Sequence, residues 1–458
     1  MDIQSIQAIF SKQRAFYKSQ ATKSLAFRLQ CLRQLKSTMK SMELEILEAL
    51  RLDLNKSSYE GFSSEIGLIY SEISHVEKML SHWIKPQKVG SPLFLMPARS
   101  FIVKEPKGVV LIIGAWNYPF QLVLAPLIGA IAAGNCVIVK PSEIAKHSES
   151  VLIKLISKAF APEFCVTVSG GPEVSGYLTA MNFDHIFFTG STKVGRLIMQ
   201  SAAPLLTPVT LELGGKSPCI VDADIDLSVV AKRIVHGKFY NAGQTCIAPD
   251  YLLVHKSIRS QLIVELRKWI EIFLGSNPKD SEHYCRVINE FHFNRLLSLL
   301  KGQEIVFGGR HDLATRYIEP TLVLPSSTDT PLMREEIFGP ILPILEFEKI
   351  DDVVTQIELN PSPLACYIFS NNKSFVSRVI NDVSFGGGCI NNSLLHFVNS
   401  NLPFGGVGSS GMGSYHGKRS FDTFSHEKSI LATPISFDIP LRYIPYRGSL
   451  ALIRMLFK

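Results

Sequence analysis

The run from Gly108 to Val139, GVVLIIGAWNYPFQLVLAPLIGAIAAGNCVIV, contains no charged residue and decides how the rest of the chain is read. It is long enough to cross a bilayer as one helix. Gly114, Asn117, Pro119, Pro126, Gly129, Gly134 and Asn135 break that reading into short pieces. The run parses instead as a strand (109–113), a loop, a helix (120–133), a turn at Gly134-Asn135 and a second strand (136–139). Strands of a parallel sheet covered on both faces give such continuous apolar runs.

Outward from this unit the pattern continues. Cys165–Val168 and His185–Phe188 read as further strands, each running into glycine. Strands and helices alternate from 108 to about 205, the signature of a doubly wound α/β domain. A second alternating region begins near Leu211, with a helix expected over Leu227–Phe239. Residues 1 to about 80 read as helical, with Leu47, Leu50 and Leu54 on one core-facing stripe. The segment 84–105 reads as extended or a hairpin, and the chain returns to extended character from about 420.

The chain has 458 residues, which suggests about three domains. Hydrophobic residues make up 46% and charged residues 19%, a globular balance that excludes disorder. The net charge of +7 is scattered, with no Lys/Arg block, so nucleic acid is not an expected partner. The first residues lack an apolar signal region, and the eight cysteines form no dense framework. A cytoplasmic protein is expected. No CxxC or Cys/His pair has zinc spacing, so no metal site is expected.

Two frames carry the chemistry. Cys246 closes Asn241-Ala242-Gly243-Gln244-Thr245-Cys246, a polar loop with accessible backbone N–H groups that would stabilise a thiolate. Cys31, Cys136, Cys165, Cys219, Cys285, Cys366 and Cys389 fit structural roles, most of them beside Leu, Val, Ile or Ala. Glu212 follows the strand-like Pro208-Val209-Thr210-Leu211 and meets Gly214-Gly215, which places a carboxylate at a strand end facing a cleft. A thiol nucleophile and a carboxylate base make a covalent-catalysis pair.

His185 to Gly195 reads as a strand, a turn at Gly190 and a helix capped by Ser191, whose N-terminus suits a pyrophosphate. Lys140 and Glu143 close another strand, where ribose and phosphate groups bind in such sheets. A solvated loop pair is the alternative. Gly406 to Gly411 matches GxGxxG by letter but follows no strand and opens no helix, so it reads as a loop. Gly215-Lys216-Ser217 resembles the end of a phosphate loop, but Thr210 stands where its first glycine belongs.

Assembled, these residues resemble the aldehyde dehydrogenase superfamily. The matching motifs are Trp116-Asn117-Tyr118-Pro119, Lys140-Pro141-Ser142-Glu143, Phe188-Thr189-Gly190-Ser191, Glu212 to Lys216, Gly243 to Cys246, Glu336-Ile337-Phe338-Gly339-Pro340 and Pro403 to Gly406. They stand in the family's order over about two-thirds of the chain. The short N-terminal arm, the stretch Gly413 to Lys418 and the ending Leu441-Arg442-Tyr443 look most like the class 3, fatty-aldehyde branch.

The resemblance implies an α/β fold: a Rossmann-like cofactor domain with N-terminal helices (1–83 and 106–210), an α/β catalytic domain (211–419), a small β oligomerisation extension (84–105 and 420–435) and a tail (436–458). It implies NAD or NADP, an aldehyde substrate and a homodimer. Cys246 would attack the aldehyde, with the oxyanion held by the Asn117 amide and the Cys246 backbone N–H. Glu212 would activate the water that hydrolyses the thioester. Glu336 would contact the nicotinamide ribose beside Phe338; outside the family frame, Glu336 reads as a solvated charge in Arg334-Glu335-Glu336.

Three other readings stand beside this one: a relative that passes the acyl group to coenzyme A or phosphate, a thiol acyl-hydrolase, and a catalytically silent relative. An acylating enzyme has no need of Glu212 as a water-activating base, and neither His185 nor His236 sits in a Cys/His frame. The last ten residues, with Leu450, Ile453 and Phe457 on one face if helical, read as a helix over the partner subunit's substrate entrance or as a weak membrane contact.

Overall fold

The charge-free run folds into the expected strand–helix–strand unit in the computed structural model, which describes residues 2–438, 443–445 and 450–456. The strand Val109–Ile113 and the strand Cys136–Lys140 are buried along their whole length. Between them lies the helix Gln121–Ala133, buried on every face. Phe120 caps this helix, so it starts one residue later than the sequence suggests. Gly134 stops it at φ 94°, a left-handed value that glycine adopts without steric cost. The run lacks charge because both layers of this unit are interior.

A six-stranded sheet grows from this unit. Its spatial order is Gly411–Met412, Val209–Glu212, His185–Thr189, Val109–Ile113, Cys136–Lys140, Cys165–Thr167. All neighbours are parallel except the first pair, where Gly411 lies opposite Glu212. The chain fills the sheet outward from Val109–Ile113 on one side, then returns to place His185–Thr189 on the other. That reversal is a topological switch point, and ligands of such sheets bind at the strand ends beside it. The loop holding Asn117 and the turn holding Gly190 follow the two strands that flank it.

A second sheet of seven strands has the order Glu304–Phe307, Thr321–Leu324, Ile341–Phe347, Tyr251–His255, Pro218–Val221, Ala365–Phe369, Gly387–Ile390. Only its first pair is antiparallel. The helix Leu227–Phe239 has the bounds expected from sequence. Gln87–Val89, Arg99–Pro106 and Ser425–Ala432 form a separate antiparallel sheet, the small β extension.

The N-terminal arm is helical through Trp83, with a π-helical turn at Phe62–Ile66. Leu50 and Leu54 are fully buried and Leu47 packs against the core. In the tail, Leu450–Leu456 is helical. Phe457 of the expected apolar face, and Leu441 and Arg442 of the class 3-like ending, lie outside the described residues. Among the described residues, no helix is long and apolar enough to cross a membrane.

Candidate active site

The strand Val209–Glu212 delivers Glu212 to the switch-point edge. The Gly190 amide donates to the Glu212 carbonyl at 3.0 Å, and the Leu213 amide donates to Ser410 at 3.0 Å. The segment Gly406–Gly411 is therefore not a phosphate loop. It is a short turn whose last residue pairs with Glu212. Glu212 is 3% exposed, and among the described residues nothing donates a hydrogen bond to either of its carboxyl oxygens. Burial accordingly pushes its carboxyl well above the usual range.

Cys246 is presented by a distorted loop. Three consecutive residues, Asn241 (φ 52°), Ala242 (φ 51°) and Gly243 (φ 73°), are left-handed. Side chains within the loop hold this shape. Asn241 Nδ2 donates to the carbonyls of Asn117 and Gln244 at 2.9 and 3.1 Å. Gln244 Nε2 donates to Asn241 and Arg286, and its Oε1 accepts from the Ile288 amide. The Tyr118 and Thr245 hydroxyls lie 2.6 Å apart, tying the Asn117 loop to the cysteine loop a second time.

The thiol differs from expectation in one respect. Burial raises the Cys246 pKa, followed by the charges of Glu336 and Glu212, while the Cys246 and Ile247 backbone oppose them. Burial first, and then the two acidic neighbours, work against the thiolate form that the polar loop suggests from sequence. Six of the other seven cysteines are buried and Cys389 is half-buried, in keeping with structural roles.

Two cavities meet at Cys246. One, about 280 Å³, is walled by apolar and aromatic groups such as Leu68, Tyr118, Ile247, Phe397, Phe404 and Tyr415. Among the described residues, no Asp, Glu, Lys or Arg lines it. The other, about 580 Å³, is lined by Asn117, Gly190, Ser191, Glu212, Gly214, Glu336 and Phe338 among others. Leu122 and Cys246 belong to both walls.

Glu336 stands in the larger cavity rather than in solvent. A Cβ on Gly214 would overlap its carboxyl group, so only glycine permits this approach. Burial, then the Asp250 charge, pushes Glu336 up to about 8, against the Gly215 amide, Lys216 and Arg295. Phe338, left-handed at φ 50°, meets Trp116 edge to face at 5.3 Å.

Ser191 caps the helix Thr192–Ala202 by accepting from the Val194 amide, and it lines the cavity. Gly195 lies inside that helix, where a Cβ would meet Leu213 at 2.7 Å. It brings the helix against the Glu212 segment and does not line the cavity. Lys140 and Glu143 pair with each other at the end of the strand Cys136–Lys140 and stand outside the cavity wall. The opening of the helix Thr192–Ala202, the close glycine approach and the Glu336 carboxyl are donors and acceptors that fit a dinucleotide.

Sequence reasoning missed several wall residues. Thr192, Lys193, His292 and Arg295 line the larger cavity. His292 also packs on Trp116 at 4.9 Å. His292 and Arg295 sit on a helix, Glu290–Leu300, that carries no motif, so only the tertiary fold reveals them. Lys216, given no role from sequence, is buried, paired with Asp250, and donates to the Leu332 and Glu335 carbonyls at 2.9 Å. It anchors the segment that carries Glu336.

Known proteins share this architecture. The chain is 48% identical to the 4,4'-diaponeurosporen-aldehyde dehydrogenase of Staphylococcus aureus over 99% of both chains. It is 46% identical to aldehyde dehydrogenase family 3 member A2 of Pongo abelii, covering 94% of this chain and 90% of that one. It is 42% identical to the "Aldehyde dehydrogenase, dimeric NADP-preferring" of Canis lupus familiaris, covering 96% and 98%. Its structure superposes on the "Substrate bound state of Staphylococcus Aureus AldH" with a TM-score of 0.97, at 47% identity and full coverage of both chains. An indole-3-acetaldehyde dehydrogenase solved with NAD+ gives a TM-score of 0.86 at 26% identity, covering 94% of this chain and 90% of that one. The profile of the aldehyde dehydrogenase family matches residues 2–430, and the chain belongs to that family.

Proposed function

We propose that this enzyme oxidises neutral, apolar aldehydes to carboxylic acids with NAD+ or NADP+, through a thiohemiacetal and a hydrolysed thioester on Cys246. One observation carries the reading. The apolar cavity and the dinucleotide-sized cavity share Cys246, and Asn117 and Glu212 stand in the wall beside it. The uncharged lining of the smaller cavity favours medium- to long-chain aliphatic or aromatic aldehydes over charged ones.

Each residue has a part. The Cys246 thiol releases its proton to water in the cavity as its sulfur attacks the carbonyl carbon. Asn117 and the Cys246 amide hold the oxygen where negative charge develops. The cofactor supplies the hydride acceptor. Ser191 and the opening of its helix would hold phosphate, Glu336 and Phe338 would hold the nicotinamide end, and Gly190 and Gly195 would shape the bed. Lys140 and Glu143, at the neighbouring strand end beyond the cavity wall, would reach ribose hydroxyls of the bound cofactor. Glu212 takes the proton of the water that attacks the thioester. A carboxyl raised by burial is a stronger base once ionised.

Glu212 beside Cys246 favours hydrolysis over transfer to coenzyme A or phosphate. The joint presence of Asn117, Glu212 and Cys246 around one cavity point favours an active enzyme over a silent relative. The division into a cofactor part (1–83, 106–210), a catalytic part (211–419), a β extension (84–105, 420–435) and a tail (436–458) belongs to this proposal. So does a cytoplasmic homodimer joined through the extension, with at most weak membrane contact by the tail. Mixing the protein with NAD+ and hexanal and following NADH absorbance tests the activity. NADH formed together with hexanoic acid supports it, and no NADH from NAD+ together with no NADPH from NADP+ rules it out. Deleting residues 449–458 should alter turnover of long-chain aldehydes more than short ones. Equal effects, with unchanged liposome binding, would remove both roles from the tail.

A further inference from the structure

The left-handed run Asn241-Ala242-Gly243 is held partly from outside its own loop. Two of its three residues carry a Cβ, so the conformation is strained and persists only where neighbours enforce it. The bonds made by Asn241 and Gln244 side chains lie within or beside the loop. The main-chain amide of Asn241 instead donates to Glu60, 181 residues away, at 2.9 Å. Asn241 is fully buried, so no water competes for that amide.

Glu60 sits on the short helical turn Ser58–Gly61 of the N-terminal arm and is 7% exposed. The same carboxyl oxygen also accepts from the Cys285 thiol at 3.3 Å. Burial raises this carboxyl, opposed chiefly by the Lys56 charge. Lys56 in turn donates to the Asn117 carbonyl at 3.1 Å, the same carbonyl that receives Asn241 Nδ2 at 2.9 Å. Glu65, paired with Lys56 at 2.7 Å, accepts from the Phe120 amide at 2.8 Å. The arm thus grips the cysteine loop through Glu60 and the Asn117 loop through Lys56 and Glu65.

We propose that Glu60 is a positioning residue for the reaction: by accepting the Asn241 amide it holds the left-handed turn that aims Cys246. The proposal rests on Cys246 being the nucleophile. It requires a side chain whose oxygen reaches Asn241, not a negative charge. Glu60→Gln keeps the reach and loses the charge. Glu60→Asp keeps the charge and loses about one methylene of reach. Glu60→Ala loses both.

The test measures the rate of Cys246 alkylation by iodoacetamide, located by peptide mass spectrometry. Alongside it run kcat/KM for hexanal, NAD+ affinity by calorimetry and the melting temperature. Displacing a reacting atom by an ångström slows an enzyme by about a hundredfold. Glu60→Asp and Glu60→Ala should therefore lose about tenfold or more in alkylation rate and kcat/KM, at unchanged NAD+ affinity. Glu60→Gln should stay within about threefold of wild type. A merely structural Glu60 would lower the melting temperature and leave Cys246 alkylation unchanged.

Wild-type alkylation and turnover in Glu60→Asp would overturn the proposal, as would a Glu60→Gln variant as slow as Glu60→Ala. If Glu60→Ala does not fold, the comparison of Asp with Gln carries the test alone. Turnover by Cys246→Ala would instead overturn the nucleophile assignment, whatever the Glu60 variants do.

Discussion

The side-chain amide of Asn117 donates to the main-chain carbonyl of Gln244 at 3.0 Å, two residues before Cys246. This bond locks the orientation of an amide that has two N–H groups. One is committed to Gln244, and the other has no partner among the described residues and can serve the cavity that Asn117 lines. Asn117→Ala should lower kcat/KM by about 10²–10³, the usual cost of one oxyanion donor. NAD+ affinity should not change. Steady-state kinetics and calorimetry on the same preparation check both halves.

Glu212→Gln should separate the two chemical steps. Thioester accumulates when its water is not activated, so a burst of NADH should precede a slow steady phase. The pH dependence has a definite sign. Because burial raises the Glu212 carboxyl, it stays protonated to higher pH than an ordinary glutamate and gains base function as pH rises. Wild-type deacylation should climb with pH, and the variant should lose that climb. Stopped-flow traces across pH show either outcome.

Glu336 should leave a mark on stability. Its folded pKa is raised to about 8 from an ordinary 4.5. The folded state then binds the proton more tightly than the unfolded one, so this contribution is fully present below about 4.5 and is lost as pH rises through about 8. Melting temperatures of the ligand-free enzyme between pH 5 and 8 should fall more steeply for wild type than for Glu336→Gln. Parallel curves would mean that Glu336 titrates normally.

Lys216→Ala should be costly at a distance from the thiol. Its side chain and that of Asp250 are 2% and 5% exposed. Removing one partner of a buried pair leaves the other charge uncompensated, at about 3–5 kcal/mol. Denaturant unfolding should register that loss. NAD+ affinity should fall with it, since Lys216 tethers the carbonyls of the Glu336 segment.

Much of this molecule was legible in its sequence because local signals and long-range packing agree. The run from Gly108 to Val139 has no charge because its strands and helix are interior, and its breaks fall at Gly114 and Gly134, where elements end. Cys246, Glu212, Asn117, Gly190, Ser191, Glu336 and Phe338 converge on one cavity: Glu212 ends a strand, Gly190 and Ser191 form the turn between a strand and a helix, and the others lie in motif-bearing loops between elements. Lys140, Glu143 and Gly195 do not line that cavity. Motif membership identifies residues held near a site without saying which touch it. His292 and Arg295 were invisible because they come from a motif-free helix brought in by tertiary packing. The upward push on the Cys246 thiol was also invisible, because its causes, burial first and then the Glu336 and Glu212 charges, come from tertiary packing.

The central claim is that Cys246 carries the substrate covalently. The direct measurement is NADH formation from hexanal by Cys246→Ala, with NAD+ binding measured on the same protein by calorimetry. The cysteine sits on a loop whose shape is held by Asn241, Gln244 and their partners, so the exchange should leave the fold and NAD+ binding intact. The account predicts NAD+ affinity like wild type and no NADH above background. NADH formation near the wild-type rate in this variant would contradict it.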